Sequence, residues 1–501
     1  MTAEAGNVAD LLATVASDRP EQTALIDTVA DTALTWPEID SAASTQARRL
    51  QEAGLRPGDR VALRLPTSIE FAVAFFAVTR AGGIAVPVSP QAPDAELGQV
   101  LDDSGARLLL SAGAEELADG VTVLTPVVEV APAEPLIASG GGEDIAALMY
   151  TSGTTGGPRG VMLSHRALLT NVAQLHSLPT RLAEPGDRVL IAIPLHHIYG
   201  LGPGLLSAVA TGATAVLAPR FDVHKALAAC AAHRVSVIVG VPAMYTEFAR
   251  LPADEVKQAL ATARLLVSGA APLRPDVLAA IRAATGLAVY EGYGLTEAAP
   301  VVTSTLVTGN AKPGSVGHPL PGVEVRLVDS DGTPGPVALD PEDPADAFPD
   351  DTGGTGLVAI HGDNLLTGYW PDGAHGPDAD GWFRTGDVGY LDTDGDLHLV
   401  DRANDLIIVN GFNVYPREVE DVIAALPEVA EVAVVGLLDE RTGEAVKAVV
   451  VPAAGVALSE QQVMQACETT LARYKVPSTV EFAHELPRSP TGKLRRFHVR
   501  G

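Results

Sequence analysis

The stretch "IAALMYTSGTTGGPRGVMLSHRALLTNVAQL" occupies residues 145–175, and its three parts read differently. The apolar run 145–150 reads as a strand and the segment from Ser164 onward as a helix. Between them, glycines and Ser/Thr hydroxyls crowd around a single cation, Arg159. Such a loop lets successive backbone N–H groups converge on an anion while the hydroxyls add donors. No Gly-Lys-Ser/Thr ends it, so it is not a Walker loop. Taken alone, it reads either as a phosphate cradle or as a hairpin of small residues.

Working outward, strand and helix alternate on both sides. "LTWPEIDSAASTQARRLQEAG" (34–54) offers a capping box, Thr35 with Glu38, has Pro37 in its first turn and stops at Gly54. "VALRL" (61–65) and "IAVPVS" (84–89) are short strands flanking a helix, "SIEFAVAFFAVTRAGG" (68–83). "RVLIAIP" (188–194), "ATAVLAP" (213–219), "VSVIVGVP" (235–242) and "ARLLVSG" (263–269) repeat the pattern. Unbroken β-branched runs between helices imply sheets covered on both faces, hence an α/β fold. After about residue 400 the pattern changes. "LIIV" (406–409), "REVEDVIAAL" (417–426), "VAEVAVVGL" (429–437), "AVKAVVVP" (445–452), "SEQQVMQACETTLARY" (459–474) and "TVEFA" (479–483) alternate as strand, helix, two paired strands, helix and strand. The expected organisation is a large N-terminal α/β domain of several subdomains over 1–401 and a small C-terminal α+β domain over 402–501. Residues 329–356, rich in Pro, Gly and Asp, read as an exposed acidic loop.

The chain of 501 residues carries a net charge of −28. From Asn404 to the end there are 10 Lys/Arg against 13 Asp/Glu, so the excess lies almost wholly earlier. Such a surface repels nucleic acid and anionic lipid, and neither is expected as a partner. The last stretch, 486–501, reverses the sign: Arg488, Lys493, Arg495, Arg496 and Arg500 occur with no acid. Cys230 and Cys467 have no metal-like spacing and read as buried thiols of a cytoplasmic protein. The first residues hold acids and no basic run, unlike a signal peptide. Residues 189–219 lack any Asp, Glu, Lys or Arg. Their His, Pro and Gly content points to a buried strand–loop–helix–strand unit and no integral membrane segment.

Four motifs occur in order: "YTSGTTGGPRG" (150–160), "EGYGLTEAAP" (291–300), "GWFRTGDVGYLDTDGDLHLVDR" (381–402) and "SPTGKLRR" (489–496). Together they resemble the adenylate-forming superfamily of acyl-CoA synthetases, luciferases and peptide-synthetase adenylation domains, over nearly the whole chain. The resemblance implies ATP-dependent formation of an acyl-adenylate with release of pyrophosphate, then thioester formation with CoA. It also implies Mg²⁺ and alternation of the small domain between two poses.

The site residues follow from that resemblance. Thr151, Ser152, Gly153, Thr154, Thr155 and Gly156 would hold the β/γ-phosphates with Arg159, where the family usually has Lys. Glu297 would hold Mg²⁺, and Thr296 would touch the α-phosphate. Gly269, Ala270 and Ala271 would form the adenine slot with Glu291, Gly292 and Tyr293. Asp387 and Arg402 would bind ribose, and Lys493 would bridge the carboxylate and the α-phosphate. Asn404 stands at the hinge, and Asn410 and Gly411 at the pantetheine channel. His197 would lie at the mouth of an acyl pocket built from Tyr199, Val241, Tyr245, Gly294 and Val301, with Met244, Leu295 and Val302. No acid falls in 189–219 to bind an ammonium group, and Gly292 replaces the Arg of malonate-type relatives. An apolar acid is therefore expected, and the motifs look most like those of fatty acyl-CoA synthetases. An aryl-acid CoA ligase, a ligase loading an acyl carrier protein and a non-catalytic adenylate-binding module stay open.

Overall fold

A computed structural model describes residues 6–113, 120–130, 136–152, 158–328, 354–402, 405, 407–409, 412–439, 443–488 and 494–500. Gly153, Thr154, Thr155, Gly156, Asn404, Asn410, Gly411 and Lys493 lie outside the described residues, as does most of the acidic stretch. The chain divides into two compact units: Met1–Glu324 with His361–Phe383, and Val325–Ile360 with Arg384–Gly501.

The first unit holds two large sheets. In the nine-stranded sheet, Val289–Gly294, Leu265–Ser268, Val237–Gly240, Arg188–Ile191, Thr214–Leu217 and Thr23–Asp27 run parallel in that order, with antiparallel strands at both edges. "TAVL", "VIVG" and "LLVS" are buried at every position, as strands covered on both faces must be. The seven-stranded sheet runs Gly368–Tyr369, Pro158–Ser164, Ile145–Ser152, Ile84–Val88, Arg60–Arg64, Leu108–Ser111, Thr122–Leu124. The opening stretch thus folds as a hairpin: Ile145–Ser152 pairs antiparallel with Pro158–Ser164 before the helix His165–His176 begins. The direct strand-to-helix passage read from sequence misses this second strand. "RGVMLS" has a strand's composition, but its glycine and serine read as part of the loop.

Local rules account for the helices. Trp36–Glu52 opens on the Thr35/Glu38 capping box, and Ile69–Arg80 on Ser68, whose hydroxyl accepts from Phe71 N. The uncharged stretch 189–219 is the strand–loop–helix–strand unit expected, with one addition. Its helix begins as a π-helical turn, Gly200–Leu206, and continues as α-helix over Ser207–Thr211. A Cβ on Gly200 would stand 2.3 Å from Pro194 O, so only glycine lets the chain turn there. No described helix is long and apolar enough to cross a membrane.

His165 ties the N-terminus to this unit. It is buried, and its Nδ1 accepts from Val8 N at 3.0 Å. Burial pulls its pKa down to about 4, only partly opposed by Asp144. The native state therefore holds it neutral, whereas the unfolded chain protonates near its ordinary pKa. Stability from this group is intact above roughly pH 6.5 and drains away as the pH falls toward about 4, by on the order of 3 kcal/mol. His165→Gln should flatten that acid limb in thermal melts between those pH values. A limb of unchanged depth would contradict the assignment.

In the second unit, a four-stranded sheet runs Val323–Val328, Gly356–Gly362, Trp382–Leu391, Leu397–Arg402. A five-stranded sheet follows: Phe412–Val414, Ile407–Val409, Gly443–Pro452 and Val429–Asp439, with Thr479–Phe482 parallel to Gly443–Pro452. Strand alternation splits its core. Val434, Val446 and Val450 pack with Val419, Ile423, Val463 and Cys467 of two helices, whereas Ala433, Val435 and Val449 meet Leu486 and Val499 of the tail. The basic tail is less free than its charge suggests. Arg488 pairs with Glu431, and Arg496 with Glu420 and Val434 O. Cys230 and Cys467 are buried free thiols.

Candidate active site

Within the first unit, the hairpin and the "EGYGLTEAAP" segment meet through a residue that neither contains. Thr151 and Arg159 face each other across the hairpin ladder. Strand Gly368–Tyr369 adds to the free edge of Pro158–Ser164, with Tyr369 opposite Val161. The Arg159 guanidinium carbon lies 4.1 Å from the centre of the Tyr369 ring, well within cation–π range. The Tyr369 hydroxyl donates to Glu297 Oε1 at 2.6 Å. Burial, and then the Glu297 carboxylate, raise the phenol pKa well above its ordinary value, so it stays a donor.

Glu297 is presented by a short connection between antiparallel strands. Val289–Gly294 ends where a Cβ on Gly294 would come within 2.2 Å of Pro300 O. Thr296–Ala298 makes one 3₁₀ turn, Ala299 takes φ +62, and Val301–Ser304 returns. Two buried amides brace this turn from outside. Asn171 donates to Val301 O at 2.8 Å and accepts from Val301 N at 3.1 Å, and Asn364 donates to Ala298 O at 2.7 Å. Leu366 N also donates to Glu297 O at 2.8 Å. None of Tyr369, Asn171 or Asn364 was singled out in the sequence. A lone Gly-Tyr and two amides carry no local signal of a partner so distant in the chain.

The "SGAAP" loop lies against the same sheet. Glu291 is buried, and its carboxylate accepts from Leu273 N at 3.2 Å, holding the loop that contains Gly269–Ala271. Ala270 adopts φ +69, the left-handed conformation that favours glycine and collects at functional sites. A Cβ on Gly269 would stand 2.9 Å from Tyr199 Cζ, and one on Gly240 would stand 2.8 Å from the Tyr245 ring. The Tyr245 hydroxyl is fixed to Val267 O at 2.8 Å. His197 Nδ1 accepts from Tyr199 N at 3.2 Å. Val241, Met244, Tyr293, Val301 and Val302 are buried. His196 is held neutral, its pKa pulled down to about 4 by burial and then by His197.

The second unit carries Asp387, buried on the strand Trp382–Leu391 and paired in register with Arg402. Its backbone N donates to Thr385 Oγ1 at 3.1 Å. The side chains of Ser152 and Arg402 lie outside what is described.

The residues present fit a hard divalent cation. Tyr369 occupies one oxygen of Glu297, and the other remains as a carboxylate donor of the kind Mg²⁺ takes alongside phosphate oxygens and water. Arg159 supplies fixed positive charge on the neighbouring strand.

The sequence profile of AMP-binding enzymes matches residues 12–370, and that of the AMP-binding enzyme C-terminal domain matches residues 418–493. This chain belongs to the AMP-binding enzyme family. It is 38% identical over 482 residues to a feruloyl-CoA synthase of Amycolatopsis, covering 94% of each chain. It is 34% identical over 521 residues to the long-chain-fatty-acid–CoA ligase FadD13 of Mycobacterium tuberculosis, covering 99% of this chain and 98% of the other. Its structure is similar to that of ATP-bound MatB from Rhodopseudomonas palustris, with a TM-score of 0.87, 32% identity and coverage of 99% and 98%. The fold class and the family resemblance read from sequence are borne out, and the chain is an AMP-forming acid–CoA ligase of the acyl and aryl class.

Proposed function

We propose that this AMP-binding enzyme adenylates an apolar monocarboxylic acid with ATP and then transfers the acyl group to CoA. In the first half, a carboxylate oxygen attacks the α-phosphorus, and the bond to the β-phosphate breaks with loss of pyrophosphate. In the second, the CoA thiol gives up its proton and attacks the acyl carbonyl, and AMP leaves. Two anions must meet in the first half, so the obstacle is charge repulsion. Mg²⁺ held by Glu297 would neutralise phosphate charge.

The other roles fall to this chain's residues. Thr151–Gly156 and Arg159 would hold the β/γ-phosphates, and Thr296 the α-phosphate. Gly269–Ala271 and Glu291–Tyr293 would seat the adenine, and Asp387 with Arg402 the ribose. His197 would orient the acid, and Lys493 would bridge it to the α-phosphate. Residues from 402 onward would turn about Asn404 between the halves, bringing Asn410 and Gly411 to the pantetheine arm. The observation that carries the proposal is the convergence of Arg159 and Glu297 on Tyr369. One cation and one metal-type ligand lie together beside the glycine-rich hairpin.

For the acid, we favour an aromatic ring over a long alkyl chain. The Tyr199 ring packs so close to Gly269 that a Cβ there would stand 2.9 Å from its Cζ, and an aromatic side chain at that loop would suit a planar substrate. The 38% identity to a feruloyl-CoA synthase agrees, while the 34% identity to FadD13 keeps a fatty acid as the second reading. The test is pyrophosphate release across acids from acetate to palmitate and across benzoate and cinnamate types, with and without CoA. The highest kcat/KM is expected with an aryl acid. Palmitate ahead of every aryl acid would overturn the preference. Release without thioester in the presence of CoA would favour a carrier-loading ligase, and no release at all a binding module.

A further inference from the structure

We propose that Tyr369 is a positioning residue that locks the metal-holding carboxylate and the phosphate-facing guanidinium into one unit. The inference rests on the roles given above to Glu297 and Arg159.

The backbone under Tyr369 is held from several sides. A Cβ on Gly368, at φ +149, would stand 2.1 Å from Gly373 O, so only glycine allows the tight loop that follows. Gly373 N donates to Tyr369 O at 2.8 Å, and Tyr369 N to Ala374 O at 3.1 Å. On either side along the chain, Thr367 N donates to Met162 O at 3.0 Å and Trp370 N to Gly160 O at 2.8 Å. The Trp370 indole N–H donates to Asp103 O at 2.8 Å. The phenol therefore projects from a fixed base and serves two partners at once. Its hydroxyl takes Glu297 Oε1 and so leaves Oε2 as the oxygen for a cation. Its face takes the flat guanidinium of Arg159. A planar cation stacks on a ring in a way that an ammonium does not, which accounts physically for Arg at a position where the resemblance leads one to expect Lys.

Two substitutions separate the two functions. Tyr369→Phe keeps the ring and deletes the hydrogen bond to a charged acceptor, whereas Tyr369→Leu deletes both. Mn²⁺ binding to the full chain with a non-hydrolysable ATP analogue, followed by electron paramagnetic resonance, reads the metal site without turnover. Tyr369→Phe should weaken Mn²⁺ binding by on the order of tenfold and raise the Mg²⁺ needed for half-maximal pyrophosphate release by a similar factor. Its KM for ATP at saturating Mg²⁺ should stay near the wild-type value. Tyr369→Leu should in addition raise that KM several-fold, about the size of a lost cation–π contact. Conversion of supplied acyl-adenylate to thioester should be unchanged in both variants.

Wild-type Mn²⁺ affinity in Tyr369→Phe would overturn the proposal, as would equal losses in the two half-reactions. Glu297→Gln gives a second measure that does not depend on how well Tyr369→Phe folds. If Tyr369 acts through Glu297, the double variant binds Mn²⁺ no more weakly than Glu297→Gln alone, and additive losses refute it. A wild-type chain that releases no pyrophosphate with any acid would sink the proposed function, yet the Mn²⁺ titration would still report on Tyr369.

Discussion

Replacing Lys493 with Ala should cut acid-dependent pyrophosphate release by about 10²–10³-fold, the loss expected when one preorganised charge at a developing anion is removed. Supplied acyl-adenylate should still be converted to thioester at near the wild-type rate, because repulsion between carboxylate and triphosphate is absent from that half. The flanks of the basic segment explain why the loss should be specific. Arg488 and Leu494 form a β-bridge on either side of it, and Arg495 N donates to Pro487 O at 2.9 Å. Arg488 is committed to Glu431, and Arg496 to Glu420, Val434 O and Asp405. Those arginines hold the tail on its sheet, so adenylation is expected to depend on the lysine between them. Rates of both half-reactions, measured on one preparation, decide it. An equal fall in the two would mean that Lys493 holds the fold together and does not serve the chemistry.

The second large effect concerns stability. Arg80, 1% exposed at the end of Ile69–Arg80, donates to Asp40 O at 3.0 Å, to Ser44 Oγ at 2.7 Å and to Ala9 O at 3.4 Å, and pairs with the Asp40 carboxylate. One side chain thereby joins three helices in the interior of the first unit. Arg80→Met should lower unfolding stability by about 3–5 kcal/mol, since it strands a buried carboxylate without its counter-charge. Adding Asp40→Leu should restore most of the loss, because a well-packed apolar pair of similar volume removes the unpaired charge. Urea unfolding of the single and double variants measures both steps. A single variant within about 1 kcal/mol of wild type would place the pair with ordinary surface salt bridges.

Much of this architecture was legible because its causes are local. The helix Trp36–Glu52 is announced by Thr35, Pro37 and Glu38, all within one turn. The paired strands Val429–Asp439 and Gly443–Pro452 are announced by two successive valine-rich runs. What local pattern missed was the strand Pro158–Ser164, masked by the same glycines and serine that marked the loop, and the π-helical turn Gly200–Leu206. Periodicity does not distinguish a π-turn from an α-helix over so few residues.

The amino-acid order alone determined the alternation of strand and helix before about residue 400, the change of pattern after it, and the four motifs by which the chain resembles adenylate-forming enzymes. Each of these depends on neighbours within a few positions along the chain. Only the tertiary structure decided that Tyr369 stands between Arg159 and Glu297, that Asn171 and Asn364 brace the Glu297 turn, and that Arg80 is buried against Asp40. Those partners are far apart in sequence, and what brings them together is how sheet edges and helix faces pack, which one-dimensional spacing does not encode.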